Sequence, residues 1–69
     1  PPTAVADPGL VMEIQRGLTN MAFSNVSIDG IAGEETRSAI RRFERHYDLP
    51  VTGEPSIAVL KKLKLIGAL

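Results

Sequence analysis

The absence of cysteine from the 69-residue chain limits its fold more than any other feature of the sequence. A domain this short buries only about 60% of the surface that its unfolded chain exposes, and here neither disulfides nor thiolate-bound zinc can compensate. Stability must therefore come from side-chain packing. Because Phe23, Phe43 and Tyr47 are the only aromatic residues, aliphatic side chains have to supply most of the core.

The first helix is predicted over residues 8–21. Asp7 can cap free backbone amides, and Pro8 suits the first position of a helix. Polar residues, among them Gln15, are expected on the side opposite the apolar stripe. That stripe is formed by Leu10, Val11, Ile14, Leu18 and Met21. The proline-rich residues 1–7 are interpreted as a linker, which leaves residues 8–69 as one domain.

Two further helices are predicted over 34–47 and 55–64. Glu34 and Glu35 favour a helix start, Pro50 follows the expected end of the second helix, and Pro55 suits the first position of the third. The fold class is therefore all-α, a compact three-helix bundle with a long structured loop between helices 1 and 2. The expected core consists of Leu10, Ile14, Leu18, Ile31, Ile40, Phe43, Val51, Ile57 and Leu60.

A short internal similarity links the starts of the second and third helices. The segment EETRSAI at 34–40 aligns with EPSIAVL at 54–60, and each follows a turn that contains glycine. The alignment indicates two loop-to-helix units with a shared way of starting a helix, although seven positions do not establish a duplication.

Composition and motifs argue against several classes of function. Eight basic residues balance eight acidic ones, so the chain lacks the excess charge typical of nucleic-acid binding, and a helix-turn-helix interpretation is disfavoured. No apolar run is long enough to insert in a membrane. His46 is the single histidine, and no nucleophile or metal-ligand motif accompanies it, so neither catalysis, a cofactor nor a metal site is expected. The start at Pro1 suggests a piece of a longer protein.

The segment from Ile28 to Glu44, IDGIAGEETRSAIRRFE, followed by LPVTG at 49–53, resembles the small peptidoglycan-binding domains appended to bacterial cell-wall hydrolases. EIQRGL at 13–18 is similar to the first-helix pattern of that family. The family often has a bulky residue where Ala32 stands and glutamine where Glu44 stands.

This resemblance implies a non-catalytic module that tethers a parent protein to bacterial peptidoglycan, outside the cytoplasm. The expected partners are the stem peptide or glycan of the wall and a catalytic domain of the parent chain. The alternative is that the same fold serves as a protein–protein interaction module. An exposed apolar patch around Phe23, Val26 and residues 65–69 would favour that alternative, whereas a polar groove would favour the wall.

The ligand surface is expected where the 22–33 loop meets the start of the second helix. Arg37, Arg41 and Arg45 form a row along that helix, with Glu34 and Glu44 close enough to pair with it, and guanidinium groups suit the carboxylates of a stem peptide. The candidate binding residues are Asn25, Ser27, Asp29, Glu34, Arg37 and Arg41. The expected structural support comes from Gly30, Gly33, Thr36 and Phe43: the glycines for unusual backbone dihedrals, Thr36 for a bond back into the loop, and Phe43 for the core.

Overall fold

The computed structural model describes residues 7–21 and 26–69, in which three α-helices and no strands occur. The helices are α1 (Pro8–Asn20), α2 (Glu34–His46) and α3 (Ile57–Leu65). The predicted all-α fold is confirmed, and so are the starts of the first two helices. Among the described residues, none of the helices has both the length and the apolar character needed to cross a bilayer. Phe23 and Asn25, both singled out in the sequence, lie outside the described residues.

The start of α1 follows the prediction, whereas the start of α3 differs from it. The carboxylate of Asp7 accepts the Leu10 amide at 3.0 Å, with Pro8 in the first helical turn. In α3 the cap is Ser56, whose hydroxyl oxygen accepts the Val59 amide at 3.3 Å. Pro55 therefore precedes the cap instead of opening the helix, because a serine side chain can satisfy a first-turn amide and a proline ring cannot.

The glycines around the first loop have different roles. Gly30 has a φ of 76°, a left-handed conformation that favours glycine, as predicted. Gly33 caps α2 with φ −81° and ψ −176°, which is ordinary extended backbone. The expectation that Gly33 needs unusual dihedrals is therefore wrong.

The core is confirmed within α1 and α2. Ile14, Leu18, Ile40 and Phe43 are fully buried, and Leu10 and Leu60 pack against them while partly exposed. The other buried apolar residues are Val11, Val26, Ala39, Val59, Leu63 and Ala68.

Three residues expected in the core are exposed instead. Ile31 is 66% exposed, Val51 46% and Ile57 57%. Ile31 and Val51 lie in loops whose backbones are held from below by buried polar side chains, so their own side chains face outward. In α3 the buried residues are Val59 and Leu63, four positions apart, and this register turns Ile57 toward solvent.

Helix α1 and helix α3 approach closely through Gly17. A Cβ atom built on Gly17 would lie 2.9 Å from a methyl carbon of Leu63, so no larger residue fits without a shift. The end of the chain is held against the end of α1, since the Asn20 side-chain amide donates to the carbonyl of Ala68 at 2.8 Å. These contacts hold α3 against α1.

Helices α2 and α3 end in the same hydrogen-bond pattern. After α2, the amide of Asp48 donates to the Arg45 carbonyl and that of Leu49 to the Glu44 carbonyl, at 3.3 and 2.7 Å. The equivalent donors after α3 are Gly67 and Ala68. This is the Schellman motif, which requires a left-handed residue; Gly67 meets the requirement with φ 83°, and Asp48 does so with φ 59°.

Candidate ligand-binding surface

The first loop, residues 26–33, is held from beneath by Gln15 of α1. The Gln15 side-chain oxygen accepts the amides of Asp29 and Gly30, both at 3.0 Å. Its nitrogen lies 3.0 Å from the Asp29 carboxylate, 3.1 Å from the Ile31 carbonyl and 3.0 Å from the Thr36 hydroxyl. Gln15 is fully buried, so its predicted place on the polar side of α1 is wrong.

Asp29 helps to close this loop. Its carboxylate accepts the Ile31 amide at 2.9 Å, as predicted for a turn that binds its own backbone. This hydrogen bond, together with the one from Gln15, lowers the pKa of Asp29 below its ordinary value. Thr36 supports the loop indirectly, because its hydroxyl accepts from Gln15 instead of bonding to the loop backbone.

The second loop, residues 49–56, is held in a similar way by Glu44 of α2. One carboxylate oxygen accepts the amides of Thr52 and Gly53 at 2.8 and 2.9 Å, and the other accepts the Thr52 hydroxyl at 2.8 Å. Glu44 is 2% exposed. It therefore points into the protein, and the expectation that it pairs with the arginine row is wrong.

The two loops are structurally equivalent at a spacing of 23 residues. Gly30 and Gly53 have φ values of 76° and 72°, and the helix caps Gly33 and Ser56 follow at the same distance. Thr52 accepts the amide two residues later, as Asp29 does. Two loop-to-helix units are therefore present, but the alignment noted in the sequence is wrong: its spacing of 20 residues matched Gly33 with Gly53, and only the cap of α3 uses a side chain.

The exposed face of α2 beside these loops carries two ion pairs. The guanidinium of Arg41 lies 2.7 Å from the carboxylate of Glu34, and that of Arg37 lies 3.4 Å from Glu54 in the second loop. The Arg41 stem also covers Gly53, where an added Cβ would lie 3.0 Å from the Arg41 Cγ. The predicted basic row is therefore a face of mixed charge. Exposed pairs of this kind contribute about 0–1 kcal/mol each, so an ionic ligand can compete for them.

The structure brings together only part of the predicted site. Glu34, Arg37 and Arg41 share one face, to which it adds Glu54, a residue that the sequence did not single out. Ser27 is exposed in the first loop, whereas Asp29 is engaged in the hydrogen bonds that hold that loop. Phe43 is buried in the core, as expected of a supporting residue, and its ring centre lies 4.8 Å from that of Tyr47.

A pocket of about 250 Å³ lies between the second loop and α3. The lining residues are Glu44, Leu49, Pro50, Thr52, Glu54, Ser56, Ala58 and Val59. The accessible walls are almost entirely apolar, although four of the lining residues, Glu44, Thr52, Glu54 and Ser56, are polar. Within residues 7–21 and 26–69, no three histidine or acidic side chains come together as metal ligands.

Comparison with known proteins agrees with these features. Residues 2–63 match the family described as "Putative peptidoglycan binding domain", a family of non-catalytic binding domains. No curated protein and no solved structure matches the chain significantly. Since the family match covers nearly all of the 69 residues, the chain belongs to this family of peptidoglycan-binding domains.

Proposed function

We propose that this chain binds the peptidoglycan of the bacterial wall through the charged face of α2 and holds a parent protein there. The observation that carries the proposal is the family match over residues 2–63, together with exposed Arg37 and half-buried Arg41 beside two loops that buried side chains hold. The parent protein would act outside the cytoplasm, and a wall hydrolase is the natural candidate. Tethering would raise the local concentration of its catalytic domain at the polymer.

The charges on the face suit a ligand that carries both signs. Arg37 and Arg41 can each form charge-assisted hydrogen bonds to a stem-peptide carboxylate, worth roughly 1.5–3 kcal/mol each before ordering costs. Glu34 is held by Arg41 at 2.7 Å and would oppose an anion unless it meets an amine of the same peptide. Of the other candidates, Ser27 and Asn25 would add hydrogen bonds from the first loop, and Asp29 would act by holding that loop.

Co-sedimentation with purified insoluble peptidoglycan tests the proposal directly. The wild-type chain should sediment with the polymer, and Arg37→Ala with Arg41→Ala should bind about tenfold more weakly. The double variant Lys61→Ala and Lys64→Ala removes the same charge from α3 and serves as the matched control. If the wild type stays in the supernatant at low and physiological salt, the proposal is wrong; equal weakening by both double variants would refute the assigned face.

Tethering requires a separate measurement. A fusion of this domain to a fluorescent protein should coat purified sacculi, whereas the fluorescent protein alone should not. Uniform fluorescence in the supernatant would contradict the tethering role.

The alternative role in protein–protein interaction has less support among the described residues. It required an apolar patch around Phe23, Val26 and residues 65–69; Val26 is 6% exposed, and Phe23 lies outside the described residues. Leu65 is 80% exposed and Leu69 41%, so apolar surface is present at and after the end of α3.

A further inference from the structure

The pocket beside the second loop combines apolar walls with an acidic lining. Its apolar lining residues are Leu49, Pro50, Ala58 and Val59. Glu44 and Glu54 also line it, and none of the described lining residues is basic. Because complementary charge favours binding, the occupant should have an apolar body and a positive charge, not a negative one.

The carboxylate of Glu44 places negative charge beneath this pocket without a positive partner. Its hydrogen-bond donors are the amides of Thr52 and Gly53 and the hydroxyl of Thr52, and all three are neutral. Neither of the two ion pairs among the described residues includes Glu44. Because Glu44 is buried, water screens its charge poorly. The field at the pocket therefore favours a cation.

The carboxylate of Glu54 offers the direct contact that a cation needs at the edge of the pocket. The Glu54 side chain is 53% exposed, so its charged group is accessible to a ligand. Its partner is Arg37, whose guanidinium lies 3.4 Å away and whose side chain is 45% exposed. This distance is longer than the 2.7 Å between Arg41 and Glu34, and exposed pairs of this kind are weak. A positively charged ligand group can therefore replace Arg37 at Glu54.

The size and the walls of the pocket suit a single aliphatic side chain. Its volume of about 250 Å³ lies below the roughly 300–1,000 Å³ of pockets for drug-sized ligands, so it takes a side chain and not a disaccharide. A long aliphatic amine covers apolar surface with its methylene groups and keeps its ammonium group at the boundary with water. In peptidoglycan, a side chain of this kind belongs to the diamino acid of the stem peptide.

We propose that this pocket binds the aliphatic side chain of the diamino acid in a stem peptide, an inference that rests on the proposed function. The methylene groups pack against Leu49 and Val59, and the ammonium group donates to the Glu54 carboxylate. Arg37 then becomes available for a carboxylate of the same peptide, the role that the proposed function gives it. Binding thus exchanges one exposed ion pair of the protein for two ion pairs with the ligand.

A titration followed by amide chemical shifts tests the site and its ligand. The probes are a synthetic stem pentapeptide with lysine as its third residue, the same peptide with that lysine acetylated on its side chain, and N-acetylglucosamine tetramer. The free-amine peptide should shift amides within residues 49–59, acetylation should weaken binding about tenfold, and the sugar should shift none of them. Shifts confined to residues 27–37, equal affinity for the acetylated peptide, or an equal response to the sugar would overturn the inference.

Two further peptides test the length and the form of the diamino acid. Diaminobutyrate in place of lysine removes two methylene groups and should weaken binding about tenfold, because each buried methylene contributes to affinity. Equal affinity of these two peptides would show that no methylene is buried and would overturn the inference. Diaminopimelate in place of lysine adds a carboxylate beside the ammonium group, and tighter binding of either form identifies the preferred diamino acid. If neither form binds, the inference is wrong.

A matched pair of substitutions checks the contact at the edge of the pocket. Glu54→Gln removes the negative charge with little change in size, and it should weaken binding of the free-amine peptide about tenfold while leaving the acetylated peptide unaffected. Glu13→Gln makes the same change at an exposed position of α1 and should alter binding by less than about twofold. Circular dichroism verifies that both variants are folded. Similar weakening by both variants, or an equal effect of Glu54→Gln on both peptides, would overturn the assignment.

The two proposals fail in different ways. If the wild type binds sacculi but does not distinguish the free-amine peptide from the acetylated one, the pocket inference is wrong and the proposed function stands. If the wild type does not bind sacculi, the proposed function is wrong, and the peptide titration alone decides whether the pocket takes an aliphatic amine.

Discussion

Replacing Glu44 by alanine removes the side chain that holds the second loop. The substitution leaves the amides of Thr52 and Gly53 without their acceptor, and the hydroxyl of Thr52 loses its partner as well. Gly53 is buried, so its amide bears most of the cost of an unmet donor, about 1–3 kcal/mol. Thr52 is exposed and can bind water, which reduces its share to about 1 kcal/mol. We expect Glu44→Ala to lower the free energy of unfolding by about 3 kcal/mol.

Urea denaturation followed by far-UV circular dichroism measures this loss. For a domain of this size about 3 kcal/mol corresponds to a fall in Tm of roughly 12–24 °C. Glu44→Gln keeps an oxygen for the two amides and can donate to the Thr52 hydroxyl oxygen, so it should cost about 1 kcal/mol or less. Arg45→Ala, at the neighbouring exposed position, controls for changes in helix propensity. If Glu44→Ala destabilises no more than Arg45→Ala, or if Glu44→Gln is as harmful as alanine, the reasoning is wrong.

Three further predictions concern stability, each checked by urea denaturation. Phe43→Ala empties a fully buried site and should cost about 3–5 kcal/mol, whereas Phe43→Leu should cost clearly less; equal losses would contradict the cavity argument. Asp48→Gly should raise the free energy of unfolding by about 0.5–1 kcal/mol because Asp48 has φ 59°. Gly67→Ala should lower it by about 1 kcal/mol for the same backbone reason. No change in either variant would refute this backbone argument. Because the folded-state pKa of Asp29 is lowered, the Asp29 carboxylate should contribute to the free energy of unfolding above about pH 4, and this contribution should be lost as the pH falls through that pKa. A difference in unfolding free energy between wild type and Asp29→Asn that stays constant at all pH values would contradict this.

The helix boundaries could be predicted because local chemistry determines them. Asp7 caps α1, acidic residues open α2, and Pro50 follows the end of α2, all without help from distant parts of the chain. The predicted start of α3 lies two residues before the observed one, because both Pro55 and Ser56 suit a helix start. The structure shows that the Ser56 hydroxyl oxygen accepts the hydrogen bond of the Val59 amide.

Spacing alone could not predict which apolar residues are exposed. In α3, Ile57, Val59, Leu60, Leu63 and Leu65 lie around the whole helix, so their periodicity selects no single face. The buried face of α3 is determined by packing against Gly17 of α1, which lies far away in sequence.

The burial of Gln15 and Glu44 follows from their positions in the apolar pattern of the sequence. Gln15 lies four residues after Val11 and three before Leu18, within the apolar stripe of α1. Glu44 has the same relation to Ile40 of α2 and to Tyr47, the residue that follows this helix. A polar residue at such a position is directed toward the core and must find partners there. The partners themselves, loop amides 8 to 15 residues away, depend on how each loop returns to its helix.

The structural residues of α2 and its proposed binding residues lie on different sides of the helix. Its inward residues, among them Phe43 and Glu44, supply the core and the support of the second loop, and they are buried. Its outward residues, Arg37 and Arg41, form surface ion pairs of small energetic weight, and the Arg41 stem also covers Gly53. Because the loop backbone is fixed from below, the outward charges can be changed without loss of the fold. Variants of the charged face therefore report on ligand binding, whereas variants of the buried face report on stability.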